Sequence, residues 1–96
     1  MIHKALDRRS GKIRVTFELP GDTGDQVVVC GDFNDWSRTA NRMAHANGRF
    51  VATVVVEPGG SYRFRYFIDN TRWENDPDAD GYVGNNFGSE DAIVNT

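Results

Sequence analysis

The apolar residues of this chain recur every second position, in short runs that turn residues cut apart, and this period admits strands and little else. In IRVTFEL, Ile13, Val15, Phe17 and Leu19 fall on one face while Arg14, Thr16 and Glu18 fall on the other. PGDTGD breaks that run, and QVVVCGDF follows, apolar on both faces, which predicts a central strand. Asn47-Gly48 stands immediately before RFVATVVVE and signals a tight hairpin. After the turn EPGGS, YRFRYFID sets Tyr62, Phe64, Tyr66 and Ile68 against Arg63, Arg65 and Phe67. A tight loop at Asn70-Thr71 leads into RWEND, and DAIVNT closes the chain.

No stretch carries a helical period. The reading is all-β: six to eight short strands in two packed antiparallel sheets, an immunoglobulin-like β-sandwich. Val15, Phe17, Val29, Val54, Phe64 and Tyr66 are the expected core. With 96 residues the chain is one domain, residues 1–96, within which residues 1–11 are either a frayed arm or an added edge strand.

Charge and composition exclude several classes of function. The net charge of −3 argues against nucleic acid as a partner. The longest apolar runs, VVVC and VATVVV, are far too short to cross a membrane, and MIHKALDRRSGK lacks the apolar core of a secretory leader. The single cysteine, Cys30, allows no intrachain disulfide and sits in an apolar run as a small buried side chain. A cytoplasmic protein is expected.

Metal and catalysis find no support. Asp76, Asp78, Asp80 and Gly81 imitate the start of a calcium loop. The twelfth position, which needs a bidentate carboxylate, is Phe87, and the flanks are not helical. The Asp-Pro and Asp-Gly pairs instead build successive turns. His3 and His45 are scattered, with no nucleophile beside them and no zinc spacing to Cys30. No phosphate-binding glycine loop or serine elbow occurs. No enzyme activity, cofactor or metal is expected.

Two tryptophans stand out. Trp36 in GDFNDWS and Trp73 in NTRWEND lie among polar turn residues rather than inside apolar runs. Either each ring closes one end of the core, or the pair forms a flat platform. Sugars present rows of C–H on a ring face and hydroxyls at the edge. A site for them wants aromatic planes and fork-like donors such as Arg65.

VVVCGDFNDWS, YRFRYFIDNTRWENDPDADGYVGNNFGSEDAIV and the spacing between them resemble the glycogen- and starch-recognition modules of early-set type. Such modules precede the catalytic barrel of isoamylases and branching enzymes. They also form the carbohydrate-binding module of the β subunit of AMP-activated protein kinase. The likeness runs from about Lys12 to Val94 and looks closest to small stand-alone bacterial members. It implies an immunoglobulin-type sandwich that binds α-1,4-linked glucans, as oligosaccharide or polysaccharide. Trp36 and Trp73 match the two stacking tryptophans. Arg65 falls where kinase-type modules have lysine, Phe87 where they have leucine, Ser89 where they have threonine, and Asp91 where they have asparagine. The alternative is a protein-interaction or spacer module that docks an enzyme of glycogen metabolism without holding sugar.

Overall fold

A computed structural model describes residues 1–96. The chain forms nine strands: β1 (Ile2–Asp7), β2 (Lys12–Pro20), β3 (Val27–Gly31), β4 (Ala44–Ala46), β5 (Arg49–Val56), β6 (Ser61–Ile68), β7 (Arg72–Glu74), β8 (Gly81–Gly84) and β9 (Glu90–Asn95). The count exceeds the expected six to eight because β4 and β7 have three residues each, too few for alternation to mark them. No helix is long and apolar enough to cross a membrane.

The strands make two antiparallel sheets, one ordered β1-β2-β5-β4 and the other β3-β6-β9-β8, with β7 also paired to β6. The inward rows of both sheets form one cluster, which includes all six expected core residues, Val15, Phe17, Val29, Val54, Phe64 and Tyr66. Phe17 of the first sheet lies 4.9 Å from the Phe64 ring of the second. Its buried ring ties the layers together at the centre.

Residues 1–11 hold an edge strand, not a frayed arm. β1 pairs with β2 from Ile2↔Phe17 to Asp7↔Lys12. Lys4, on the core side of β1, reaches across the layers to the Asp80 carboxylate. The β4–β5 hairpin turns at Asn47 and Gly48, both with positive φ (54° and 74°), as the sequence signals. The β6–β7 turn is centred one residue earlier than expected, on Asp69 and Asn70 (φ 53° and 56°). The Asp69 carboxylate folds back to accept the Gln26 and Asp25 amides, which hold its pKa below the usual carboxylate value.

β3 corrects the expectation of a central strand. It is the outermost strand of its sheet, flanked by β6 on one side only. Its free edge is sealed by an irregular segment, with Val29 N–H donating to Asn41 O (3.0 Å) and Met43 N–H to Val27 O (2.8 Å). Both faces are nevertheless buried. Val27 and Val29 face the core, whereas Val28 and Cys30 lie under Phe67, Trp36 and Trp73. An aromatic cover on the outer face imitates a central strand in sequence.

The acidic loop has structural work. Asp76 is fully buried and accepts the Tyr66 hydroxyl (2.6 Å) and the Asp78 amide (2.8 Å). Burial, then the adjacent Asp76 charge, push the Tyr66 pKa far up. Asp80 accepts the Asn95 amide (2.7 Å) as well as Lys4. Burial opposes its charge, but these two donors prevail and lower its pKa. The Asp76 and Asp80 carboxylates thus serve separate partners.

Candidate functional site

The turn after β3 builds the first wall of the site. Gly31 is required because a Cβ there would lie 2.5 Å from the Arg63 carbonyl oxygen. Asp32 Oδ2 accepts the Arg63 amide (2.9 Å) and Oδ1 accepts the Trp36 indole N–H (3.0 Å), so one carboxylate ties the turn to β6 and orients the ring. Phe33 packs on the core, 5.9 Å from the Phe17 ring. Asn34 Oδ1 accepts the Gly31 amide (3.0 Å), while its Nδ2 donates to Val29 O (3.0 Å) and Asn41 Oδ1 (2.7 Å). Asp35 and Trp36 then adopt left-handed backbone (φ 55° and 58°). For a residue as large as tryptophan this costs on the order of 1–3 kcal/mol, and the surrounding bonds hold it there. GDFNDW is therefore a device for holding one indole outside the sheet.

β6 and β7 build the floor. Arg63, Arg65 and Phe67 share the outer face of β6, and Trp73 lies opposite Phe67 in the β6–β7 pair. The Phe67 and Trp73 rings are 4.5 Å apart, and the Trp73 and Trp36 rings 6.4 Å apart, inclined at 61°. The two half-buried indoles meet as two inclined planes above Val28, Cys30 and Phe67. Arg38 adds its guanidinium carbon 4.8 Å from the Phe67 centroid and 5.4 Å from that of Trp73. Beneath them burial pushes the Cys30 thiol up to about 11, an effect Arg38 only partly opposes. The thiol is an inert packing group.

The β8–β9 loop is the far wall, and Asn85 organises it. Its Oδ1 accepts the Phe87 amide (2.9 Å) and the Ser89 amide (3.2 Å), and its Nδ2 donates to Asp91 Oδ1 (3.1 Å). Gly88 takes the left-handed turn position (φ 79°). Phe87 is thrust to the loop tip, 92 % exposed with no apolar cover. Asp91 is the reverse, only 7 % exposed, with Oδ1 on Asn85 and Oδ2 3.8 Å from Arg63. Arg65 spans the floor, donating to Asn75 Oδ1 (3.1 Å) and Ser89 Oγ (3.3 Å).

Trp36, Trp73, Arg65, Phe87, Ser89 and Asp91, all singled out in the sequence, line one open groove of about 760 Å³, within the ~300–1,000 Å³ range of ligand sites. Asp32, Arg38, Arg63, Asn85 and Asn86 complete the lining. Sequence reasoning passed over these five. Asp32 and Asn85 had a signal, each being an acceptor-bearing residue at the start of a tight turn. Arg38 had none, because the loop that carries it over Phe67 has no regular structure to give it a face. The surface offers aromatic planes at an angle, an exposed ring and several guanidinium and amide donors. It has no nucleophile–base pair, and no cluster of three or more His, Cys, Asp or Glu side chains is placed to hold a metal ion.

Residues 12–95 match the family described as the glycogen recognition site of AMP-activated protein kinase. Among individual proteins, the chain is similar to the kinase's subunit beta-1. It is 31 % identical to that of Sus scrofa over 71 residues, 74 % of this chain and 55 % of the pig sequence. It is 35 % identical to that of Homo sapiens over 54 residues, 56 % of this chain and 18 % of the human protein. The bovine subunit matches to the same extent, so the chain spans under a fifth of these two relatives.

Proposed function

Because the chain belongs to the family of glycogen recognition sites of AMP-activated protein kinase, matched over residues 12–95, we propose that it binds α-1,4-linked glucans without catalysis, in the cytoplasm, through the groove between Trp36, Trp73 and Phe87. The supporting observation is the 61° inclination of the two indoles. An α-1,4 chain curves, so successive glucose units present their C–H faces at an angle to one another. A β-1,4 chain is a flat ribbon and would want coplanar rings. Trp36 and Trp73 each stack on one glucose unit, and Phe87 closes over the chain from the loop tip. Arg65 and Ser89 bond hydroxyls. Asp91, nearly sealed, acts through Asn85 and Arg63 rather than on the sugar.

Binding is expected to be weak. Each stacked ring adds on the order of 1 kcal/mol beyond its burial. With a few exposed hydrogen bonds the total corresponds to a dissociation constant of about 10 μM to 1 mM for maltoheptaose. Electrophoresis in native gels cast with glycogen tests the reading: the protein is retarded, and Trp36→Ala and Trp73→Ala are not. Unretarded wild-type protein would favour the second reading, a module that docks an enzyme of glycogen metabolism. That reading draws on the naming of the relatives as kinase subunits.

A further inference from the structure

The groove has a charge pattern that a neutral glucan does not need. Three arginines line it, Arg38, Arg63 and Arg65, in a protein whose net charge is −3. Arg63 faces Asp91, at 3.8 Å. Arg65 bonds only neutral partners, Asn75 and Ser89, and Arg38 lies over rings; neither takes part in any ion pair. The carboxylates in the groove are already committed. Those of Asp32 accept Trp36 and the Arg63 amide, and those of Asp91 face Asn85 and Arg63.

The arrangement is also linear. Arg63, Arg65 and Phe67 follow one another on the outer face of β6, at a spacing of about 7 Å given ~3.3 Å per residue. Arg38 rests its charge on Phe67 and so occupies the third place in that row. The row runs beside Trp73 and ends near the Trp36 wall. Two guanidinium groups without carboxylate partners, one register apart, form a place for an anion with several acceptor oxygens. A phosphate monoester carries about −1.5 to −2 charges near neutrality and three such oxygens, which matches guanidinium forks.

We infer that the groove selects α-glucans carrying a phosphate monoester, with Arg38 and Arg65 gripping the phosphate while the indoles stack on the sugars. This rests on the glucan reading above and narrows its ligand class. Neutral glucan uses the stacking surface and the hydroxyl bonds of Arg65 and Ser89. A phosphorylated glucan adds the row of charge, at a site where the rest of the acidic surface would repel it.

The test is calorimetric titration of the intact protein with three ligands: maltoheptaose, maltoheptaose bearing one 6-phosphate, and glucose 6-phosphate. In about 20 mM salt the phosphorylated heptasaccharide should bind about tenfold tighter than the neutral one, a difference of about 1.4 kcal/mol. At about 300 mM salt the ratio should fall to about threefold or less, because these charges are exposed to solvent. Arg38→Gln and Arg65→Gln should each reduce the low-salt ratio to about threefold or less, with melting temperatures confirming the fold. Arg65→Lys, which keeps the charge, should hold a larger ratio than Arg65→Gln. Equal affinity for the two heptasaccharides overturns the inference and leaves the glucan reading standing. Binding of neither overturns both. Glucose 6-phosphate binding as tightly as the phosphorylated heptasaccharide makes this an anion site and overturns the claim that the glucan is the ligand.

Discussion

Asn34→Asp isolates the side chain that shapes the turn beneath Trp36. The change is nearly isosteric. It keeps the acceptor for the Gly31 amide and removes both donors, to Val29 O and to Asn41 Oδ1. The new carboxylate would then face two acceptor oxygens in a half-buried site. Two lost hydrogen bonds cost about 1–3 kcal/mol, and the unpaired charge facing oxygen adds about 1 kcal/mol or more. A loss of about 2–4 kcal/mol in a domain of this size lowers the melting temperature by about 12–24 °C. Such a domain has about 5–14 kcal/mol in all, so the variant should still fold at 25 °C. Differential scanning calorimetry measures the effect. Glycogen retention of the folded variant should also fall, because Asn34 holds the left-handed backbone that aims the indole. A melting temperature within 3 °C of wild type, about 0.5 kcal/mol, would refute the claim that the amide holds the turn.

Tyr66→Phe leaves the buried Asp76 carboxylate without its shortest hydrogen bond and should cost about 1–3 kcal/mol in urea unfolding; an unchanged midpoint would show the bond contributes nothing net. Asn85→Ala should weaken glucan binding about tenfold, since the exposed loop presenting Phe87 loosens, and should cost about 1–3 kcal/mol because the buried Asp91 Oδ1 loses its hydrogen-bond donor; equal affinity would remove Phe87 from the site. Alkaline pH should destabilise the fold through Cys30: the folded thiol titrates at about 11 and the unfolded one at about 8.5, so its contribution is complete below that lower value and is lost as pH rises toward the upper one. Cys30→Ala should flatten the decline of stability between about pH 8.5 and 11, and an identical slope in both proteins would contradict the burial argument.

The sandwich was legible because strands declare themselves by alternation, and β2, β5 and β6 are long enough to show it. β3 misled for a physical reason: burial on both faces reads alike whether a second strand or an aromatic cover supplies it. β4 and β7 were lost to shortness, and β1 could not be assigned because its inward row includes Lys4, whose partner Asp80 lies 76 residues away. In the site, residues at a turn or on a strand face could be placed. Trp36 and Trp73 stood out against polar neighbours, and Arg65 had a face to stand on. Arg38 emerges only when its loop meets Phe67 and Trp73, distant in sequence, whereas the amides of Asn34 and Asn85 brace turns within seven residues of themselves.

The claim that two inclined indoles hold a curved glucan is tested most directly by titrating isotope-labelled protein with maltoheptaose while following the two indole N–H resonances. The Trp36 N–H is fixed on Asp32 and the Trp73 ring rests on Phe67, so both report from ordered positions. Both resonances should shift together and saturate with one dissociation constant of about 10 μM to 1 mM, and cellohexaose at the same concentrations should move neither. Resonances that stay still at millimolar maltoheptaose, or that respond equally to the flat β-linked chain, would contradict the account.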